Sequence, residues 1–362
     1  MYRLNLISHM SRCVLPNINF IRSEVNTRRN IHIYKNVFVK LPRFTPARIE
    51  RYRFNDNHKS QEKKSRMLLA VSLPTLIFHY LLGIEDTDEE VPEVIMTIKR
   101  SVLLIQKGEY DKAEQMLHLA LRQAQTIQHY DAVTYIYDVM ANLAFDTEKY
   151  RKAEQLFVLV LQRLMLNGAT EDDMRVIHIS LKMAKVFEHL KEPKKAEQGY
   201  KFCMENLKSH IEKDPDNKDA VLLQGIAFDW YARMLLSQSR YTEALNYLLQ
   251  AYNICKKING EKHEQTVVLL NDLGTICSIR EEYDEAIKYL SAAVKIGDNL
   301  PDMVDLGSIH VNLGSVLLKM GLYDEAKKAC QRGRKIAKSK EDNDSLLEAD
   351  ECLKEVKRLL SL

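Results

Sequence analysis

A sixfold recurrence governs what this 362-residue chain can fold into. The tetrads Tyr110-Asp-Lys-Ala113, Tyr150-Arg-Lys-Ala153, Pro193-Lys-Lys-Ala196, Tyr241-Thr-Glu-Ala244, Tyr283-Asp-Glu-Ala286 and Tyr323-Asp-Glu-Ala326 begin 40, 43, 48, 42 and 40 residues apart. Nine residues before each start stands a small residue: Ser101, Ala141, Ala184, Ala232, Gly274 and Gly314. Seven after each final Ala stands Ala120, Val160, Cys203, Ala251, Ala293 or Gly333. Compact side chains in register answer one physical demand. Two antiparallel helices bring their backbones together only where the crossing residues are small, and the Tyr then fills the space at the turn. One such pair cannot bury its apolar faces alone, so copies stack. A continuous heptad coil is excluded, because Gly108, Gly168, Pro193, Pro215, Gly260 and Pro301 interrupt the period.

These tetrads resemble the tetratricopeptide repeat family. The resemblance implies an all-α fold: a right-handed α-solenoid of about six helical hairpins with a C-terminal capping helix, over residues 88–362. The family's usual unit is roughly 34 residues, so the longer intervals here imply about one extra turn on each of two helices, as in kinesin light chain. The run 213–218, Lys-Asp-Pro-Asp-Asn-Lys, reads as the loop insertion behind the widest interval. After Arg334, Leu346, Leu347, Ala349, Leu353, Val356, Leu359 and Leu360 against Lys354, Lys357 and Arg358 describe the amphipathic cap. Only 12 Gly and 8 Pro argue against a turn-rich β fold. The six cysteines form no C-x-x-C pair and read as reduced, mostly buried thiols without a zinc site.

The net charge of +3 is unevenly distributed. Residues 1–66 carry fifteen Lys or Arg and four acids, whereas residues 67–362 carry 38 basic and 46 acidic side chains. An Arg-rich, acid-poor N-terminus has the composition of a mitochondrial targeting leader; a basic arm for nucleic acid or anionic lipid is the alternative. Residues 67–84, MLLAVSLPTLIFHYLLGI, hold no formal charge and as a helix would reach about 27 Å, near the lower limit for a membrane anchor. A helix buried against the following domain is the other reading, favoured by Pro74 and His79. Lys59, Lys63, Lys64 and Arg66 precede this run and Glu85, Asp86, Asp88, Glu89 and Glu90 follow it. The positive-inside rule would keep the basic flank in the matrix and the solenoid in the intermembrane space.

In a stack of helical hairpins the first helices line an inner wall that holds segments of other proteins. Helical spacing from the small residues places Asp138, Asn142, Lys185, Glu188, Asp229, Arg233, Asn271, Thr275 and Ser315 on that wall, as a partner-binding groove or as solvated positions. Lys185 and Arg233 beside Asp138, Glu188 and Asp229 do not make a carboxylate clamp, which needs several cations on consecutive first helices. No phosphate-binding loop, dinucleotide fingerprint, nucleophile elbow or H-E-x-x-H occurs. His178, His189 and His310 read as groove or surface residues, and Trp230 as packing near the wall. No catalytic residue, metal, cofactor, nucleic acid or small-molecule substrate is expected.

Two stretches narrow the resemblance. Residues 132–145, Ala-Val-Thr-Tyr-Ile-Tyr-Asp-Val-Met-Ala-Asn-Leu-Ala-Phe, and 260–273, Gly-Glu-Lys-His-Glu-Gln-Thr-Val-Val-Leu-Leu-Asn-Asp-Leu, are similar to a mitochondrial branch of the family. Glu264 departs from the Pro usual after His in the longer repeats. The resemblance implies a non-enzymatic inner-membrane factor associated with respiratory complex III, the ubiquinol–cytochrome c oxidoreductase, that promotes clearance of fragments of its Rieske iron–sulfur subunit. The competing class is a cytosolic cargo or division adaptor like kinesin light chain.

Overall fold

Each tetrad opens a helix. The computed structural model describes residues 93–361, except 302 and 304, all within the unit Asn57–Leu362. The targeting leader and the apolar segment 67–84 lie outside the described residues. Among those described there are thirteen α-helices and no strand. They are α1 Glu93–Gln106, α2 Tyr110–Thr126, α3 Tyr130–Asp146, α4 Tyr150–Leu166, α5 Met174–His189, α6 Pro193–Lys213 and α7 Lys218–Ser237. The series continues with α8 Tyr241–Asn259, α9 Glu264–Ile279, α10 Tyr283–Gly297, α11 Leu306–Lys319, α12 Tyr323–Ser339 and α13 Asn343–Leu360. Successive pairs form six hairpins, each packed on the next in chain order, and α13 packs on both helices of the last. No described helix is long and apolar enough to cross a membrane.

All six hairpins close through three residues, and their turns share one hydrogen-bond pattern. The amide that ends the turn donates to the carbonyl five residues back, as from Lys149 to Ala144, Glu282 to Cys277 and Leu322 to Leu317. This closure puts the preceding residue in the left-handed region. Gly108 and Gly321 occupy that place cheaply, but Glu148, Lys191, Ser239 and Glu281 occupy it too, with φ near +60°. The next helix starts at once, led in the third hairpin by Pro193, whose missing amide proton costs nothing at a first helical position.

The crossings are as close as the small residues suggest. Ala113, Ala153, Ala196, Ala244, Ala286 and Ala326 have no exposed surface, and neither do Ser101, Ala141, Ala184 and Ala232. A β-carbon added to Gly274 would lie 2.5 Å from Leu290 Cγ and 3.1 Å from the Ala286 carbonyl. One added to Gly314 would lie 2.2 Å from Cys330 Sγ. Between these contacts Tyr135, Phe157, Phe187, Tyr200 and Tyr231 fill the wider gaps, each fully buried.

Two expectations need correction. The widest interval is not chiefly a loop insertion: α6 has 21 residues and α7 has 20, against 17 each for α2 and α3, while the loop 214–217 adds one residue to the three that join α2 to α3. The cysteines are not all reduced: Cys330 of α12 and Cys352 of α13 form a disulfide, 6.3 Å between Cα atoms. The cap folds back along α12 and so joins two thiols that stand 22 residues apart in the chain. Cys203, Cys255 and Cys277 are free and buried as expected.

Leu in place of Gly314 or Ala286 should overpack its crossing by about 1–3 kcal/mol, lowering the melting temperature by roughly 2–4 °C per kcal/mol. Thermal denaturation beside Lys327→Leu, on the exposed side of α12, checks the register. Equal melts for all three would refute it.

Candidate partner-binding wall

The predicted groove residues lie along α3, α5, α7, α9 and α11, and most are tied to one another. Asp138 is buried and accepts from Lys182 Nζ of the next hairpin at 3.1 Å. Asn142, one turn along α3, donates to the Asp138 carbonyl at 2.7 Å and to its carboxylate at 3.1 Å. On α5, buried Lys185 pairs with Glu188 at 3.1 Å, and Glu188 also accepts from the Tyr200 hydroxyl at 3.0 Å.

The middle of the wall carries the densest charge. Arg233 Nε donates to Asp229 of its own helix at 2.9 Å, and its second nitrogen reaches Asp272 of α9 at 2.7 Å. Burial raises the pKa of Asp229 and the Arg233 charge opposes that rise. Burial also works against the guanidinium, yet the two carboxylates carry its pKa upward, so it stays charged. Asn312 of α11 donates to the Asn271 side chain at 2.9 Å, and Thr275 donates to the Asn271 carbonyl at 2.9 Å. Ser315 is half-buried on α11.

Three members of this network were absent from the sequence reading: Lys182, Asp272 and Asn312. Each bonds a predicted residue 44, 39 or 41 positions away. That separation is one repeat, so complementary polar residues one repeat apart were the available signal. Asn142, Glu188, Arg233, Thr275 and Ser315 keep part of their surface open, whereas Asp138, Lys185, Asp229 and Asn271 are buried. Trp230, next to Asp229 on α7, is half-buried.

The histidines differ from expectation. His178 and His310 are buried, not groove or surface residues, and His189 stacks on Tyr150 with ring centroids 4.5 Å apart. Helix position put His178 near the wall, but spacing alone did not show how deeply α5 sinks between its neighbours. Burial, and then the Lys182 charge, hold His178 neutral with a pKa well below the ordinary value. Burial also lowers that of His310, against a partial counter-pull from Asp298 at 3.4 Å. Among the described residues, no group of three or more metal-ligating side chains occurs.

Removing Arg233 leaves two carboxylates facing each other in a dry setting. Arg233→Ala should cost about 3 kcal/mol, measured by urea denaturation at pH 7. The histidines set an acid limit. The unfolded chain takes up protons near pH 6.5 while buried His178 and His310 do not, so stability is full above that pH and falls as pH drops through it toward the lowered native values. The slope should reach about 1.4 kcal/mol per pH unit for each histidine. His178→Gln should flatten the profile between pH 5 and pH 7; an unchanged slope would exclude His178 as its source.

Models of the tetratricopeptide repeat match residues 223–298 and 307–340. The solenoid also resembles solved structures at 13–16% identity, which bears on fold alone. The apo quorum sensor NprR from B. thuringiensis superposes with a TM-score of 0.54, covering 81% of this chain and 80% of that one. A signal-transduction ATPase with a tetratricopeptide repeat sensor from Pyrococcus horikoshii also gives 0.54, covering 81% and 43%. Among curated proteins, the Drosophila melanogaster homolog of mitochondrial tetratricopeptide repeat protein 19 is 39% identical over 283 residues, covering 78% of this chain and 77% of its own. Mitochondrial tetratricopeptide repeat protein 19 of Homo sapiens is 34% identical over 284 residues, covering 76% and 74%. On this identity and coverage, the chain belongs to the tetratricopeptide repeat protein 19 family.

Proposed function

We propose that the chain is a non-enzymatic scaffold of the mitochondrial inner membrane that binds respiratory complex III and promotes turnover of Rieske iron–sulfur subunit fragments. The observation that carries this reading is the 39% identity over 283 residues to a relative named as mitochondrial, with a second at 34% over 284. The basic leader supports import, and the uncharged run 67–84 supplies a segment for attachment.

The wall suits capture. Its charged groups largely neutralise one another, Asp138 with Lys182, Lys185 with Glu188, and Arg233 with Asp229 and Asp272. A partner is then read by shape and hydrogen bonding more than by net charge. The half-buried Asn142, Glu188, Thr275 and Ser315 present amide, carboxylate and hydroxyl groups to an extended segment. In this mechanism the solenoid docks on assembled complex III and holds a Rieske segment while proteases supplied by others cleave it.

Deleting the chain should leave Rieske fragments on purified complex III and lower its ubiquinol–cytochrome c oxidoreductase activity, with recovery on re-expression. Unchanged fragments and activity, or failure of residues 1–66 to carry a fluorescent reporter into mitochondria, would overturn the reading; the second result would favour a cytosolic adaptor.

A further inference from the structure

The capping helix is weakly held except at one point. Of its 18 residues α13 buries only Ser345, Ala349, Cys352 and Val356, a narrow stripe in which Val356 is the one large aliphatic side chain. Leu353 is only partly buried, one of three such side chains, with Leu317 and Leu318, that pack against the cluster of Ala326, Cys330, Cys352 and Val356. The Arg334–Asp350 ion pair is exposed on both sides and adds little. By contrast the Cys330–Cys352 bond lies within the stripe, with Cys330 fully buried and Cys352 nearly so. Gly314 makes the room: the Cys330 sulfur occupies space that any β-carbon on Gly314 would claim.

The geometry points to Cys330–Cys352 as an oxidative staple that fixes the cap to the last hairpin, and therefore to a solenoid that works in the intermembrane space, not in the reducing matrix. The compartment half of this inference rests on the mitochondrial placement proposed above; the staple itself does not. Structural disulfides persist in oxidising compartments and are rare where thiol reductants prevail. The orientation agrees with the one that the charges flanking 67–84 favour.

Formation follows thiol–disulfide exchange with a protein disulfide as oxidant. The Cys352 thiolate attacks one sulfur of the oxidant, forming a mixed disulfide and releasing one oxidant thiolate. The Cys330 thiolate then attacks the Cys352 sulfur and expels the second. Two thiols become one disulfide, and their two protons and two electrons leave on the oxidant as a dithiol. Both sulfurs are buried in the capped fold, so exchange precedes docking of α13, and docking then shields the bond. Two of the other described thiols, Cys203 and Cys277, stay out of this chemistry. Burial raises the pKa of Cys203, and that of Cys277 to about 11, which keeps both protonated.

Mitochondria are acid-quenched, denatured and treated with a mass-tagged maleimide before and after reduction. Two tags, mapped to Cys330 and Cys352, should appear only after reduction; full tagging without reductant would overturn the staple. Protease added to mitoplasts should digest the solenoid while intact mitochondria protect it. Protection in mitoplasts would overturn the compartment and leave the bond standing. Recovery of the chain outside mitochondria would instead overturn the proposed function, with the tag count still judging the staple. Hydrogen exchange of 343–360 should accelerate by about tenfold or more in the double variant Cys330→Ala/Cys352→Ala, with α7 unchanged. Mild reduction of the native chain gives the same reading should that variant fail to fold, and unchanged exchange would refute the locking role.

Discussion

Backbone-to-backbone proximity is the constraint on which the solenoid depends. At each crossing one helix presents Ala, Gly or Ser to another, and the gap left is too narrow for a longer side chain. The large aromatics fill the remaining space: the Tyr200 hydroxyl donates to Glu188 within its own hairpin, and the Tyr231 hydroxyl donates to Glu197 of the preceding one. Small residues therefore set the distance within a hairpin, while aromatic pairs such as Tyr200 and Tyr231, ring centroids 5.7 Å apart, help fill the space between hairpins. The three-residue turn belongs to the same device. Only a reversal this short brings the second helix back before the first has diverged, and the left-handed residue is what makes it short enough.

Distance alone does not fix register along the stack, because alanines one turn apart are interchangeable. The polar links between first helices remove that degeneracy. Asp138 to Lys182, Arg233 to Asp272 and Asn271 to Asn312 each join one repeat to the next. Buried ion pairs add little net stability but are costly to separate. A slip of one turn would part Arg233 from Asp272 and leave that carboxylate dry and unpaired. The apolar contacts hold the hairpins together, and the polar ones specify which neighbouring turns meet.

How much of this was legible in the sequence follows from how local each feature is. The six second-helix starts and the small residues could be read because a single repeat carries the whole signal. The left-handed turns at Glu148, Lys191 and Glu281 could not, since these residue types carry no preference for that conformation; the surrounding packing imposes it. The lengthening of α6 and α7 was misplaced because Asp214-Pro-Asp-Asn217 advertises a loop, whereas extra helical residues advertise nothing. The disulfide needed the antiparallel return of α13, which is tertiary. The proposed wall lies between these cases: helical phase puts its residues on the first helices, but their mutual pairing appears only when positions one repeat apart are compared.

That pairing bears on what the proposed groove can grip. Asn142 uses its amide nitrogen on Asp138, and Thr275 uses its hydroxyl proton on the Asn271 carbonyl. What these side chains retain toward an incoming segment is chiefly oxygen: the amide oxygen of Asn142, the hydroxyl oxygen of Thr275 and the carboxylate of Glu188. An extended peptide presents backbone N–H groups at regular intervals, donors that suit these acceptors. A helical peptide has already spent its amides internally and offers the wall little. On the proposed reading, the segment captured is accordingly one that has lost its own secondary structure, which is the condition of a polypeptide fragment cut from its parent fold.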